Sequence, residues 1–255
     1  LSKKLIYDIE DNTITTVSSS VNRVIAPLKN SNKNKFLMKT ADYVITSSPA
    51  LNSYCIDVNN NKKCKYISSS VNIDRFLPVN TYSNNKKVTI GWTGTFSSKE
   101  YLDLLRSALI TLKDRCDFKL IVIGNFEYKF PEMDVEVIKW SSKNEVKDMQ
   151  KIDIGIYPLS DDPWVHGKSG LKAIQYMAFG LPVVATNIGT TPKIIENMRN
   201  GLLVNSDREW VSALEKLVKN PELRKTLGQE ARKTIIDKYS INAIKIDYFS
   251  IISKL

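Results

Sequence analysis

Three polar side chains recur at helical spacing in the segment "GKSGLKAIQYMAFGLPVVAT", residues 167–186. Lys168, Lys172 and Gln175 stand at positions i, i+4 and i+7, which would place them on one stripe of a helix. The first turn of a helix offers free N–H groups and the positive end of the helix dipole. Two lysines beside that end are unfavourable unless an anion binds there, so the spacing favours a diphosphate site. A solvated lysine face on a surface helix is the alternative.

The residues around this stripe predict where its helix begins and ends. Ser169 is the expected N-cap, and Gly170 would allow a ligand to approach the backbone closely. Gly180 should end the helix, because Pro182 prevents its continuation. An apolar face that should pack on a sheet comprises Leu171, Ile174, Met177 and Ala178.

A second candidate ligand loop is "GWTGTFSS", residues 91–98. A predicted strand ends in glycine there, and Thr95, Ser97 and Ser98 lead into a helix, as in many loops that hold phosphate or sugar. The loop lacks both the GxGxxG fingerprint and the Walker lysine, which argues against nicotinamide cofactors and P-loop chemistry. An ordinary strand–helix turn explains the same residues equally well.

These loops belong to a regular alternation of strands and helices from residue 87 onward. The predicted strands cover 87–94, 118–125, 135–140, 153–159, 182–186 and 201–204. Besides the helix described above, predicted helices cover 98–115, 142–150 and 192–198, and two more begin near 206 and 221. Continuously apolar strands separated by helices predict a doubly wound, Rossmann-like parallel sheet with its ligand at the carboxyl ends of the strands.

Two domains and a closing helix follow from this pattern. Residues 1–80 hold only three strand candidates, at 4–9, 41–48 and 64–71, and are interpreted as the remainder of a truncated first α/β domain. A polar linker over 78–87 leads to the main domain at 87–240, and an amphipathic helix over 241–255 closes the chain. The chain lacks an initiator Met and opens almost directly into a strand, so we expect it to begin inside a domain.

Composition narrows the class of partner. The net charge of +10 points to nucleic acid, an anionic membrane or a phosphorylated small molecule, and no nucleic-acid module is present. Three irregularly spaced cysteines predict a reducing, cytoplasmic location. No metal is expected: the only histidine, His166, is remote from the cysteines, and Asp8 and Glu10 are interpreted as solvated carboxylates.

The segments quoted above resemble those of a known family, the group 1 retaining glycosyltransferases of the GT-B fold. The likeness lies in the helix ending "YMAFG" before "LPVVAT", and in "NIGTTPKIIENMRNGLLV" downstream of it. The segments "GWTGTF" and "IDIGIYPL" fit the strand ends before that family's ligand loops. The similarity runs from about residue 87 to 240 and, more faintly, over "IYDIED" and "ADYVITSS".

The resemblance implies two Rossmann-like domains with a cleft between them, the second binding a nucleotide-diphosphate sugar as substrate. The last helix is expected to cross back to the first, acceptor-side domain. The implied reaction transfers a hexose with retained configuration to a glycan or lipid-linked acceptor, without metal or cofactor. Electrostatic contacts would stabilise the departing diphosphate. Basic residues and the amphipathic tail would allow peripheral contact with the inner face of a membrane.

The resemblance also assigns residues. The diphosphate would be held by Lys168, Ser169, Gly170 and Leu171, with Lys168, Lys172 and His166 as catalytic candidates. Other donor contacts are expected from Gly94 and Thr95 to phosphate or sugar, from Trp140 to the base and from Gln175 to ribose. The alternative for Trp140 is a position in the core, and the alternative for His166 is a structural hydrogen bond.

One departure from the family pattern leaves the activity open. The family often carries two glutamates eight positions apart, and here those positions are Gly167 and Gln175. A Gln amide still bonds a ribose hydroxyl, whereas glycine offers no side chain. Two rival functions are therefore kept: a partner subunit without turnover, and a nucleotide-sugar epimerase.

Overall fold

The computed structural model describes residues 4–10, 31–78 and 87–254, arranged around two parallel sheets. Residues 79–86 of the predicted linker lie outside the described residues. The smaller sheet has the strand order β1-β2-β3, formed by β1 (Ile6–Ile9), β2 (Tyr43–Thr46) and β3 (Cys64–Tyr66). These strands confirm the three predicted in this segment, with shorter bounds.

Two helices cover one face of the smaller sheet. They are α1 (Ser31–Thr40) and α2 (Pro49–Val58). Helix α2 begins after Ser48, whose side chain accepts a hydrogen bond from the Leu51 amide, and Pro49 occupies the first turn, where its missing N–H is not needed. The core on this face comprises Ile9, Met38, Ala41, Val44, Leu51 and Cys55.

The larger sheet has the strand order β6-β5-β4-β7-β8-β9. Its strands are β4 (Val88–Gly94), β5 (Phe118–Gly124), β6 (Val135–Lys139), β7 (Ile154–Tyr157), β8 (Val183–Thr186) and β9 (Leu202–Val204). All of these pairs are parallel, so the carboxyl ends of all six strands lie at one edge. The direction of winding reverses between β4 and β7, and a sheet of this kind binds its ligand at that switch point.

Eight helices connect or follow these strands in the described part of the chain. They are α3 (Lys99–Asp103), α4 (Arg106–Lys113), α5 (Glu145–Met149), α6 (Pro163–His166), α7 (Leu171–Ala178), α8 (Thr191–Ile194), α9 (Asp207–Lys219) and α10 (Pro221–Thr234). Buried clusters lie on both faces of the larger sheet, one including Leu109 and Leu214 and the other Ile174 and Ala231. The predicted doubly wound α/β arrangement is confirmed.

Two helix predictions were wrong in their extent. The single helix expected over 98–115 is divided into a 3-10 turn, Phe96–Ser98, and the helices α3 and α4. The helix expected over 192–198 stops after Ile194. Its continuation is replaced by the Asn200 side chain, which accepts from the Glu196 amide at 2.8 Å and donates to the Ile194 carbonyl at 3.2 Å. A side chain has thus taken the backbone partners that another turn of helix would use.

The end of the chain returns to the smaller sheet. After a π-helical turn, Ile235–Tyr239, helix α11 (Ile241–Ile252) packs Ile251 against Ile45 and Ile67, on the sheet face opposite α1 and α2. Asp247 of α11 pairs with Lys65 at 2.7 Å. Within the described residues, no helix combines the length and apolarity that crossing a bilayer requires.

Candidate functional site

A cavity of about 340 Å³ opens at the switch point between β4 and β7. We call it the lysine cavity, because Lys168 and Lys172 both line it. The other lining residues are Glu10, Trp92, Thr95, Ser98, Tyr101, Tyr157, Pro158, Leu159, Ser169, Gly170 and Leu171. Glu10 follows β1 of the smaller sheet, so both sheets contribute to the cavity wall.

The turn that precedes α7 differs from the sequence prediction. Gly170, rather than Ser169, is the N-cap residue, and its φ of 77° lies in the left-handed region that favours glycine. A Cβ on Gly170 would lie 2.4 Å from Cδ1 of Ile194, so the site also lacks room for a side chain. Thr190 donates a 2.6 Å hydrogen bond to the Lys168 carbonyl and fixes the start of the turn. The first residues of α7, Leu171 and Lys172, line the cavity, and no side chain of the described residues caps this end of the helix.

Lys172 is held inside the site. Its ammonium donates to Oγ of Ser98 at 3.0 Å and lies 4.9 Å from the centroid of the Trp92 ring. Burial, and secondly the nearby charge of Lys168, lower the Lys172 pKa from 10.5 to about 7. A cation that is destabilised in this way gains strongly from an anion bound beside it.

Lys168 reaches the same cavity from outside the helix. Because α7 begins at Leu171, the predicted helical stripe of two lysines and a glutamine was wrong for Lys168. Its ammonium lies 5.3 Å from the centroid of Tyr101 and 5.7 Å from that of Trp164, within cation–π range of both rings. Both lysines are thus partly buried at the cavity wall, and the solvated-face alternative does not describe them.

The predicted loop after β4 meets Lys172. The Thr95 amide donates to Ser98 Oγ at 3.1 Å, and the Thr95 residue is exposed at the cavity rim. A Cβ on Gly94 would lie 2.3 Å from the Trp92 ring, so only glycine fits beside this buried indole. The loop is therefore shaped by Trp92 and Ser98, the two residues that also contact Lys172.

A second cavity, of about 230 Å³, adjoins the first and shares Thr95 and Lys172 with it. We call it the tryptophan cavity, after Trp140, which follows β6 and is 44% exposed. This exposure rules out the core position considered for Trp140. Its other lining residues are Thr93, Gly94, Asn125, Glu145 and Gln175. The structure therefore brings Gly94, Thr95, Trp140 and Gln175 together as expected for neighbours of one ligand.

His166 lies apart from this group. It is exposed, its Nε2 is 3.4 Å from Oδ1 of Asp161, and it is not among the residues that line either cavity. Gly167, the position of one family glutamate, ends α6 and donates its N–H to the Trp164 carbonyl, again outside the lining. No group of three His, Cys, Asp or Glu side chains suited to a metal occurs within the described ranges.

Sequence reasoning missed several lining residues. Tyr101, Tyr157 and Asn125 carried no motif, although Tyr157 ends β7 and Asn125 follows β5, at the sheet edge where ligands bind. Glu10 was noted only as part of an acidic pair. Its partner Asp8 instead accepts from the Tyr248 hydroxyl at 3.1 Å, and burial raises the Asp8 pKa. The sequence signal that could have identified Tyr157 and Asn125 was their position at the carboxyl ends of β7 and β5.

A Rossmann-like sheet with helix amides and two lysines at its switch point is typical of proteins that bind a phosphate-containing ligand there. The family model described as "Glycosyl transferases group 1" matches residues 75–234. The chain therefore belongs to the group 1 glycosyl transferases.

Individual relatives agree with this family. An uncharacterised glycosyltransferase of Methanocaldococcus jannaschii is 28% identical over 220 residues, 81% of this chain and 59% of that protein. The capsular polysaccharide biosynthesis glycosyltransferase CapM of Staphylococcus aureus is 23% identical over 63% of this chain and 44% of its own length. The chain thus spans about half the length of the curated relatives it matches.

Solved structures show the GT-B fold. Anabaena HepE, determined in complex with UDP and glucose, superposes with a TM-score of 0.75 at 17% identity, over 99% of this chain and 72% of that one. The sucrose-phosphate synthase of Thermosynechococcus elongatus gives a TM-score of 0.69 at 18% identity, over 94% and 64% of the two chains. The GT-B prediction is confirmed.

Proposed function

We propose that this chain is the donor-binding part of a glycosyltransferase that moves a hexose from a nucleoside-diphosphate sugar to a glycan or lipid-linked acceptor. The configuration of the transferred sugar is retained. The observation that carries the proposal is the junction of two cavities at Lys172 and Thr95, beside the free amides that open α7.

The junction suits a diphosphate. Lys172 supplies a desolvated ammonium, Lys168 a second cation, and the turn over Ser169, Gly170 and Leu171 supplies backbone N–H groups. When the bond between the sugar and the diphosphate breaks, its electron pair leaves with the diphosphate. Cations already oriented there stabilise that growing negative charge without further reorganisation. Lys168 and Lys172 are therefore the proposed catalytic residues, and His166, which lies outside both cavities, has no role in this arrangement.

The two cavities are proposed to bind the remaining parts of the donor, the nucleoside and the hexose. The tryptophan cavity takes the nucleoside, because Trp140 exposes an indole face for stacking and Gln175 offers an amide for ribose. The lysine cavity takes the hexose, with Thr95 between the two. The structurally similar HepE has been solved with UDP-glucose as well as with UDP and glucose, which supports a donor of this class.

Two observations support the proposed acceptor. CapM is named for capsular polysaccharide biosynthesis, which fits a glycan or lipid-linked acceptor. Helix α11 exposes Ile246, Phe249 and Ile252 beside Lys245 and Lys254, a surface suited to peripheral contact with an anionic membrane at the cytoplasmic side. Sedimentation with vesicles tests this contact, and equal recovery with neutral and anionic lipid would refute it.

A partner subunit without turnover is the second candidate, favoured by Gly167, which leaves the lysine cavity without the family carboxylate at that position. Titration calorimetry with UDP, GDP and ADP, followed by a transfer and hydrolysis assay with the matching hexose donors, separates the two. Binding of one nucleotide with release of nucleoside diphosphate supports the transferase. Binding without release supports the inactive partner, and no binding refutes both. Product analysis by NMR would reveal an epimerase as an altered, unreleased nucleotide-sugar.

A further inference from the structure

A carboxylate enters the tryptophan cavity from an element that the family motif does not include. Glu145 is the first residue of α5, and it is the only acidic residue among the described residues that line this cavity. Its side chain is only 17% exposed, so its charge is largely removed from water. A carboxylate in such a place requires a partner, and every hydrogen-bond acceptor position left over is available to a ligand.

Arg75 is that partner. Its Nη2 lies 2.6 Å from Oε2 of Glu145 and also donates to the Ser142 carbonyl at 3.4 Å. The two bonds hold one carboxylate oxygen and the loop before α5 to the same guanidinium. No described residue donates to the other oxygen, Oε1. Arg75 therefore fixes the orientation of Glu145 and balances its charge, and leaves acceptor capacity free.

The position of Glu145 relative to the diphosphate junction limits what it meets. This step rests on the proposed function. If the diphosphate lies at Thr95 and Lys172, the group that enters the tryptophan cavity next to it is the ribose, followed by the base against Trp140. Ribose presents two neighbouring hydroxyl donors, and one carboxylate accepts from both. Gln175, which lines the same cavity, provides only one carbonyl oxygen as acceptor.

We propose that Glu145, oriented by Arg75, accepts hydrogen bonds from the 2′- and 3′-hydroxyls of the donor's ribose and thereby selects ribonucleotides over deoxyribonucleotides. Glu145 contacts the substrate in this arrangement, and Arg75 is a positioning residue. The Arg75 charge also prevents the carboxylate from repelling the nearby diphosphate. Helix α7 then needs no carboxylate at position 175, because α5, the helix that follows the edge strand β6, supplies one.

Calorimetry with paired ribo- and 2′-deoxyribonucleoside diphosphates tests the proposal on the full 255-residue chain. UDP, GDP and ADP are titrated first, and the tightest of them is compared with its 2′-deoxy form in the wild type, E145Q and R75A. We expect the wild type to prefer the ribonucleotide roughly tenfold or more, the value of one charge-assisted hydrogen bond. In E145Q the preference should fall below about threefold, because ribonucleotide binding weakens and deoxyribonucleotide binding does not.

Two variants control for indirect effects. Glu136→Gln removes an ion-paired glutamate on β6 that lies outside the cavity, and it should leave the preference unchanged. Glu145→Asp keeps the carboxylate, so it should retain part of the ribose preference. It takes the place of E145Q as the test variant if E145Q folds poorly. An unchanged ribose preference in E145Q, with nucleotide still bound, overturns this inference alone. Failure of the wild type to bind any of the three nucleotides overturns both the inference and the proposed function.

Discussion

Replacing Lys172 by Met gives the most informative perturbation of the site. Methionine keeps the length of the side chain and removes the ammonium that donates to Ser98 and lies over Trp92. A hydrogen bond from a charged donor contributes about 1.5–3 kcal/mol, so we expect the affinity for a nucleoside diphosphate at pH 6 to fall roughly 10- to 150-fold. Isothermal titration calorimetry measures this change directly.

The pH dependence of nucleotide affinity tests the charge of Lys172 in a second way. With a pKa of about 7, Lys172 is mostly charged at pH 6 and about one-tenth charged at pH 8 in the free protein. A bound diphosphate favours the charged form, so binding takes up a proton above pH 7 and the wild-type affinity should fall about tenfold, about 1.4 kcal/mol, from pH 6 to pH 8. The terminal phosphate of the ligand titrates near pH 6 and acts in the opposite direction. K172M reports that ligand contribution alone, so the difference between the two profiles isolates Lys172.

Stability provides the control for K172M. The Lys172 pKa is lower in the folded chain, about 7, than its ordinary value of 10.5, so the unfolded chain binds more protons between these two pH values. Wild-type stability should therefore gain a contribution as pH rises from about 7 to 10.5, and K172M should lack it. We expect the K172M melting temperature at pH 7 to be at least that of the wild type. Unchanged nucleotide affinity, or identical pH profiles of binding in both proteins, would refute the reasoning.

Four further substitutions test other parts of the site and the fold. Gly170→Ala should destabilise the fold by about 2–5 kcal/mol, because it combines a left-handed φ with a clash against Ile194. Ser169→Ala should change stability by less than about 0.5 kcal/mol, because the Ser169 side chain does not cap α7. Thermal melting of the two variants measures the difference. Trp140→Ala should weaken nucleotide binding by about 1–3 kcal/mol in calorimetry with little change in melting temperature, and a matching loss of stability would count against a stacking role. Arg232→Ala removes donors to three backbone carbonyls, at 2.5–2.9 Å, and should lower stability by about 3 kcal/mol, or roughly 6–12 °C in melting temperature; a smaller shift would show that water replaces these bonds.

Much of the fold could be predicted because the relevant signals are local. Continuously apolar runs such as residues 118–124 identify buried parallel strands, and parallel strands with intervening helices bring their carboxyl ends to one edge. That rule correctly gathered Gly94, Thr95, Trp140, Lys168 and Lys172 into one region. The break between α3 and α4 and the early end of α8 depend on tertiary packing and on the Asn200 side chain, which no helical period reveals.

The candidate site was predicted less completely for a related reason. The N-cap of α7 was misplaced by one residue because Ser169 has the usual capping chemistry, whereas Gly170 is selected by its φ and by the space beside Ile194. Glu145 depends on Arg75, which is 70 residues away in the chain, so sequence spacing gives no indication that they meet. The lowered Lys172 pKa likewise arises from burial that only the folded chain creates.

A crystal structure of this chain with bound UDP tests the central claim most directly, with GDP or ADP substituted if calorimetry selects one of them. We predict density for the diphosphate within hydrogen-bonding distance of the Lys172 ammonium and the first-turn amides of α7, with the base against Trp140. Nucleotide bound at any other surface, with the junction of the two cavities empty, would contradict it.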